Sequence, residues 1–514
     1  MERQSKQSKS LAMKRNPFAG SHVLLIIALI MAATLRFWML KYRLLSINSD
    51  DAMIGIMAQR ILAGARPLFY YGGYYYGPLD AYLAAPLIRI WGSSDEILRV
   101  FPLIFSLLFV VVTFLLGKKR YTEKIGLISA FYAAIPPVFL TVRGLKVDAA
   151  YSILLVIGSI SLYLFSGWME DRSRRRLVVL AILSLIGVWI FPLMLYYILA
   201  MALTFWLDRS SRCDRLRMGE HSHHWLFGMG VLFLIIIFLI LGQYTSPVPL
   251  GERVTNLGGL VQITTPVLLG FFPAAENFSD FTAVFSRYPA FWKVSAAALG
   301  LIISGVGLWA GYKRYQQGNR LLFVFVTTTV LIFVLTSVMV GFKPEAFSYP
   351  RYLFLLYSAI PMGVDALMQL TDKKPFLRYG MIILILIVNL VSNINLPTSK
   401  PSMSGLKNLM MNRQGVSFVY TDYWTGYWLA YETDGKVIPS IITPDGKIGF
   451  NRLEDTAQAV SNASAVMYIF PAGSSGATAL QRYLDNQKIQ YQVFTVDERI
   501  LFWGLSSPVR PGDF

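Results

Sequence analysis

The run Asn48-Ser49-Asp50-Asp51 stands directly ahead of Ala52 to Leu62, where apolar residues recur at helical spacing with Gln59 and Arg60 on the other face, the pattern of an amphipathic helix lying on a membrane surface. Adjacent residues on a helix point about 100° apart, so the two carboxylates need not act together. One reading is an N-cap with acids on the first turn, where they suit the helix dipole. The other is a general base at a membrane surface, one acid capping while its neighbour works. Groups of opposite chemistry come later. Arg143-Gly144-Leu145-Lys146-Val147-Asp148 places two cations and an acid between apolar stretches, and Tyr349-Pro350-Arg351-Tyr352 sets an Arg between tyrosines at the mouth of another, with Lys343 ahead of it. Such cations either clamp phosphate or reach to lipid headgroups. Arg253 and Arg287 lie in a further outer loop. Between the acids and a second amphipathic segment, Leu79 to Trp91, runs the aromatic cluster Tyr70 to Pro78, with Tyr75 and Tyr76 at its centre and Asp80 just beyond.

These residues must be positioned by membrane helices. Of 514 residues, 55% are apolar and 15% charged, against about 25% charged in soluble proteins, and the mean hydropathy is +0.51. That excludes an ordinary cytosolic enzyme and a disordered chain. The apolar residues lie in runs of about 17–25, long enough to span a bilayer as helix, rather than in the short alternating strands of a barrel. Candidate spans are 18–40, 98–117, 125–141, 147–167, 177–190, 192–207, 225–242, 291–311, 321–341, 352–371 and 379–395, about eleven in all. Gly187 and Pro192 divide the long run 177–207. Lys14 and Arg15 precede a stretch long enough to span, which reads as an uncleaved first helix.

The net charge is +18, and all of it lies in residues 1–396, which carry 37 basic and 19 acidic residues; residues 397–514 carry 10 of each. Placing residues 1–17 in the cytoplasm puts Lys118-Lys119-Arg120, Arg174-Arg175-Arg176, Arg209 to Arg217, Lys313-Arg314 and Lys373-Lys374 on one side. This is the positive-inside asymmetry of membrane loops and not a nucleic-acid footprint. The membrane domain then covers 18–395, with external loops 41–97 and 243–290, and residues 396–514 lie outside. The tail alternates β-like runs (417–421, 436–441, 465–470, 491–496, 499–504) with helical stretches (452–461, 477–487), the pattern of a small α/β domain. With only Cys213, the chain has no intrachain disulfide, so this domain must stand on its core.

Other tracts carry less. His221-Ser222-His223-His224 reads as a solvated cytoplasmic loop or a metal tract. Asn277 and Asn462 sit in Asn-X-Ser sequons. Asp422-Tyr423-Trp424 reads as turn and core packing, or as a segment reaching over a substrate groove. Asp365, the acid nearest a span interior, lies toward the cytoplasmic end of its helix. A transporter or flippase for a lipid-linked or polar solute would place ionisable groups or broken helices near the midplane; here Pro136-Pro137 and Gly187–Pro192 break helices near outer ends.

The layout resembles the GT-C superfamily of integral-membrane glycosyltransferases, in particular its protein O-mannosyltransferase and aminoarabinose-transferase branch. The likeness rests on the acid pair after the first span, the Gly/aromatic/Pro stretch, the second amphipathic helix, Arg-Gly-Leu-Lys-Val-Asp, the late Arg-Tyr-Leu step and the external tail. It covers most of residues 20–395. The resemblance implies that Asp50 is the catalytic base, with Asp51 in the family's Glu position. The family's His-Pro-Pro or Glu-Lys-Pro-Pro signature is absent; Tyr76-Gly77-Pro78-Leu79-Asp80 occupies that region, and Asp80 is the candidate second acid. The implied donor is a polyprenyl-phosphate sugar. It is held by Arg143, Lys146, Asp148, Tyr349 and Arg351 with Tyr75 and Tyr76, and transferred with inversion to a hydroxyl of a lipid, glycan or protein. A divalent metal is compatible with the resemblance; no other cofactor is implied. The expected location is a bacterial plasma membrane.

Overall fold

The structure, a computed structural model, describes residues 17–43, 47–73, 75–147, 150–213, 249–270, 289–340, 349–396, 403–414 and 417–514. The expected span 225–242, the histidine tract, Asp148, Arg287, Lys343 and the side chain of Tyr349 lie outside the described residues. Among the described residues, seven helices are long and apolar enough to cross a membrane: Gly20–Tyr42, Asp95–Arg120, Tyr151–Asp171, Ala290–Gln316, Leu321–Met339, Pro350–Leu370 and Pro375–Ile394. The bent pair Glu123–Ala134 and Val138–Leu145 makes an eighth if counted as one span. Among the described residues the spans therefore number fewer than the expected eleven. The run 177–207 does break at Phe191, between the helix Arg174–Ile190 and a 3₁₀ turn Pro192–Met194 that leads into Leu195–Cys213. Residues 243–290, expected as a loop, contain the helix Leu250–Leu269. Its glycines and Pro266 read as loop residues. Packing overrides them: a Cβ on Gly300 of the neighbouring helix would lie 2.8 Å from Thr265.

The 70° bend has a direct covalent cause. Pro136 and Pro137 have no N–H to offer the carbonyls four residues earlier, and their rings clash with the preceding turn. The carbonyl of Ala133, orphaned by Pro137, and those left open where the helix ends find donors on other helices. Arg36, 1% exposed, donates to the carbonyls of Ala133 at 3.0 Å and Ala134 at 2.9 Å and to Ser106 Oγ at 2.6 Å. Asn389 and Asn393 donate to the carbonyls of Ile135 at 3.0 Å and Pro136 at 2.8 Å. Arg36→Met would strip two of these carbonyls of their donor, at about 1–3 kcal/mol each. A thermal midpoint in detergent lower by several degrees is expected, and an unchanged midpoint would contradict this account of the bend.

The basic loops gather at one end of the bundle. Lys119 pairs with Glu170, Arg120 donates to Ser166 and Asn319, and Arg314 forms a bidentate pair with Asp365 at 2.8 Å, supported by Gln369.

The C-terminal domain is a five-stranded sheet of β1 (Ser417–Thr421), β2 (Val437–Ile441), β3 (Met467–Pro471), β4 (Gln492–Val496) and β5 (Arg499–Trp503). Its order is β2-β1-β3-β5-β4, with β2, β1 and β3 parallel and β5 and β4 antiparallel. All five strands lie where the sequence pattern puts them, as do the helices Glu454–Asn462 and Ser475–Asn486. The alternation of side chains assigns the two faces. Tyr420, Tyr468, Phe470 and Phe502 pack beneath Ser475–Asn486. Val419, Met467, Ile469 and Leu501 share a second core with Ala52, Met53, Ile56, Met57, Ala81 and Ala84 of the first loop.

That shared core corrects the expectation that Ala52–Leu62 lies on the membrane surface. The helix Ser49–Leu62 is covered by protein: Ser49 and Asp51 to Ala58 are all buried. Its cover is the helix Tyr423–Glu432, whose first residues the sequence leaves between turn and core packing and a segment reaching over a substrate groove. The aromatic run Tyr423 to Trp428 has strand propensity, but Asp422 caps its first turn by accepting from Trp424 N at 3.0 Å and Thr425 N at 3.2 Å. Close approach requires glycine at position 55, where a Cβ would lie 2.3 Å from the Tyr431 ring.

Candidate active site

Asn48 caps the helix Ser49–Leu62 with its backbone extended (φ −100°), and its side chain accepts from Asp51 N at 2.9 Å while Asp51 accepts from Asn48 N at 3.3 Å. This reciprocal capping box engages the Asp51 carboxylate, in a residue 1% exposed. Asp50, rotated away around the helix, keeps 28% of its side chain exposed and faces the C-terminal domain. The acid pair is thus divided by the helical rotation: Asp51 supports the helix start and Asp50 is presented.

Two residues of the C-terminal domain meet Asp50. The Tyr423 hydroxyl donates to Asp50 Oδ1, and Arg452 Nη2 donates to the same oxygen at 3.2 Å. Arg452 Nε donates to the Tyr423 oxygen at 2.6 Å and Nη1 to the Tyr71 carbonyl at 3.3 Å. Both residues come from the carboxyl ends of parallel strands, Tyr423 after β1 and Arg452 from the loop after β2, the edge at which open α/β sheets bind ligands. The loop is held by Asn451, which accepts from Ile441 N at 2.7 Å, and by the Tyr427 hydroxyl, which accepts from Arg452 N at 2.7 Å. The Arg452 guanidinium lies 5.2 Å from the Tyr70 ring centre, 5.5 Å from Tyr423 and 5.6 Å from Phe450, within cation–π range of all of them.

Burial, and then the Asp50 charge, push the Tyr423 hydroxyl well above its ordinary range, with Arg452 opposing. Tyr70 is raised by the same two causes, and its hydroxyl donates to the Asp50 carbonyl at 3.1 Å. Burial lowers Arg452, but Tyr70, Tyr423 and Asp50 outweigh it and the net direction is up. The carboxylate therefore faces neutral phenols and a permanent cation.

From Asp50 an aromatic path runs toward the cations. Tyr70 stacks on Tyr76 at 4.8 Å, Tyr76 meets Phe191 at 5.7 Å, and Phe191 meets Tyr151 at 5.6 Å. Arg143 lies 5.7 Å from the Tyr151 ring centre. Phe354, in the 3₁₀ stretch Tyr349–Ala359 that carries Arg351, packs on Tyr151 at 6.1 Å. Arg351 itself lies over Tyr352 at 5.2 Å. Lys146 is buried just beyond the helix Val138–Leu145. Tyr75 is exposed and flanks both Tyr76 and Phe191. Asp80 is buried in the first turn of Leu79–Trp91. Gly77 fastens this loop to the span end: its N–H donates to the Trp189 carbonyl at 2.6 Å, and a Cβ there would lie 2.4 Å from the Trp189 ring. Among the described residues, no group of three or more His, Cys, Asp or Glu side chains converges as a metal-ligand set.

Sequence reasoning singles out Asp50, Tyr76 and Arg143, and the structure joins them through Tyr70, Phe191 and Tyr151. It misses Arg452 altogether. That residue stands 402 positions from Asp50, and no local motif marks it. The Asp422-Tyr423-Trp424 segment carried a usable signal, since an aspartate directly after a strand is a helix-cap pattern.

Residues 76–241 match the family model described as dolichyl-phosphate-mannose-protein mannosyltransferase. No curated protein matches the chain. Two solved structures share its architecture. ArnT from Cupriavidus metallidurans in the apo state is 12% identical, with 94% of this chain and 98% of that one covered at a TM-score of 0.54. The Archaeoglobus fulgidus oligosaccharyltransferase, tethered with an acceptor peptide containing the NVT sequon, is 12% identical, with 95% and 74% covered at 0.51. The family model matches part of the stretch between the acid pair and the C-terminal domain, and the likeness to the two solved structures shows a shared fold over nearly the whole chain.

Proposed function

We propose that the protein transfers a sugar from a polyprenyl-phosphate donor to an acceptor hydroxyl, with Asp50 as general base. The observation that carries the reading is the position of Asp50: a part-exposed carboxylate held by Arg452 and Tyr423 where the first loop meets the C-terminal domain. The acceptor oxygen attacks the anomeric carbon and gives its proton to Asp50, while the bond from that carbon to the phosphate oxygen breaks and its electron pair leaves with the lipid phosphate. Attack opposite the leaving group inverts the carbon. Arg143, Lys146 and Arg351 are the cations proposed to stabilise the departing phosphate, with Asp148, Tyr349, Tyr75, Tyr76 and Asp80 lining the donor and acceptor subsites. The matched family's dolichyl-phosphate donor supports this substrate class, and the acceptor is a lipid, glycan or protein hydroxyl. Clustering of the basic loops at one bundle end supports a cytoplasmic N-terminus, residues 18–395 as the membrane domain and residues 396–514 outside, in a bacterial plasma membrane. Transport has less support, because Asp365 is tied into its pair with Arg314.

The test is incubation of purified protein with a panel of radiolabelled polyprenyl-phosphate monosaccharides. Release of sugar or a glycosylated product is expected from one of them. Vectorial movement in liposomes without covalent product, or no binding of any donor, overturns the reading.

A further inference from the structure

We infer that Arg452, together with Tyr423, is a positioning residue for Asp50, so that the C-terminal domain completes the reaction centre and does more than roof it. The inference rests on the reading of Asp50 as base.

Arg452 is one of several contacts between the first loop and the C-terminal domain. The first loop and the C-terminal domain are already joined by the Gly55–Tyr431 approach, by Ser49 Oγ donating to the Trp424 carbonyl at 2.8 Å, by Tyr431 donating to the Ser94 carbonyl at 3.1 Å, and by Gln59 donating to Asp434 at 3.0 Å. The interface also has its own peripheral ion pair, Arg60–Asp455 at 2.8 Å, with side chains 31% and 64% exposed. Pairs this exposed contribute little. Arg452 is placed differently. Its side chain is 16% exposed, three of its nitrogens are committed to Asp50, Tyr423 and the Tyr71 carbonyl, and its faces are flanked by Tyr70, Tyr423 and Phe450. This arrangement fixes the guanidinium rather than tethering a surface, and what it holds is one oxygen of the carboxylate that the reaction uses.

Two separable effects follow. The positive charge on Arg452 favours the ionised form of the carboxylate it faces. The planar fork with the Tyr423 hydroxyl sets the carboxylate's direction, and misplacing a reacting group by about 1 Å costs on the order of 10²-fold. The groups that meet Asp50 are Tyr423 from its helix, Arg452 from the loop after β2 and Tyr70 from the aromatic turn; Tyr76 acts on Tyr70, and Arg452 and Arg60 act on Tyr427. Tyr70, Tyr423 and Tyr427 are all raised by burial, so they stay protonated through the range in which a carboxylate titrates.

The experiment compares Arg452→Ala, Arg452→Lys, Tyr423→Phe and Asp50→Asn in two readouts. The first is the pH–rate profile of sugar transfer, with kcat and donor KM resolved. The second needs no donor: the pH titration of the Asp50 carboxylate band, taken as the infrared difference between each protein and the same protein carrying Asp50→Asn. Arg452→Ala is expected to move the acidic limb and the infrared titration up by about one pH unit or more and to lower kcat by about 10- to 100-fold, leaving donor KM near its original value. Arg452→Lys retains the charge and is expected to hold the limb in place while kcat still falls, because the fork is gone. Tyr423→Phe keeps the ring and lowers kcat. Should Arg452→Ala fail to fold, the lysine and phenylalanine variants decide. Unchanged kcat in both, or an infrared titration that does not move in Arg452→Ala, overturns the inference. Full activity in Asp50→Asn instead overturns the assignment of the base.

Discussion

With Asp50 as the proposed base, Asp50→Asn is expected to lower the proposed sugar transfer by about 10²- to 10⁴-fold, the range that general base catalysis contributes, while Asp51→Asn is expected to leave most of the turnover in place. Asparagine keeps the volume and polarity of position 50 and can still accept from Tyr423 and Arg452, so the fold has no reason to fail. What disappears is the capacity proposed for Asp50, taking the acceptor proton. At position 51 the expected loss is of a different kind. The Asp51 carboxylate closes the capping box with Asn48, and weakening a cap costs about 0.5–2 kcal/mol. Steady-state transfer and thermal unfolding, measured on both variants, separate the roles: Asp50→Asn is expected to be folded and inactive, Asp51→Asn active and less stable. The reverse pattern would assign the base to Asp51. Equal and near-complete loss of transfer in two folded proteins would mean that the carboxylates act as a pair, against the helical rotation that separates them.

The second large effect is expected from a residue that touches no substrate. At Gly55 an added Cβ would lie 2.3, 2.5 and 2.8 Å from three carbons of the Tyr431 ring. That ring cannot easily retreat, because Tyr431 is fully buried and its hydroxyl is anchored on the Ser94 carbonyl. Gly55→Ala therefore forces the helix Ser49–Leu62 and the helix Tyr423–Glu432 apart. Overpacking of this kind costs about 1–3 kcal/mol. The larger consequence is functional, since Asp50 rides on one helix and Tyr423 on the other, and a displacement of about 1 Å between them costs on the order of 10²-fold in transfer. Gly363→Ala is the control, with nothing within 4 Å of the added carbon; it should behave as the parent protein. Combining Gly55→Ala with Tyr431→Leu, which removes the obstructing ring, is expected to restore part of the lost activity. Wild-type transfer by Gly55→Ala would show that the contact between the two helices does not position the site.

The membrane character of the chain is decided locally. Long apolar runs, basic flanks and a neutral tail are properties of composition and order, so the helical class, the break at Pro136-Pro137 and the strands of the C-terminal domain are all legible residue by residue. The capping alternative for the acid pair is also a local matter, settled within one turn by Asn48 and Asp51. Other features are not local. Leu250–Leu269 contains glycines and a proline and becomes a helix through packing. Tyr423–Glu432 is rich in strand formers and becomes a helix through its cap and its burial. The apolar stripe of Ala52–Leu62 states only that something must cover it; lipid and protein satisfy such a stripe equally, and the helix Tyr423–Glu432, more than 350 residues away, supplies the cover. The partnership of Asp50 with Arg452 belongs to this second class. An arginine's role is set by what its five donors meet, and those partners come from segments that neither periodicity nor spacing can bring together. The sequence by itself determined a bundle of apolar helices with an acid pair in the loop after the first of them and a folded tail; only the tertiary structure decided that the tail reaches back to hold one of those acids, because the contact arises from the packing of one helix face on another.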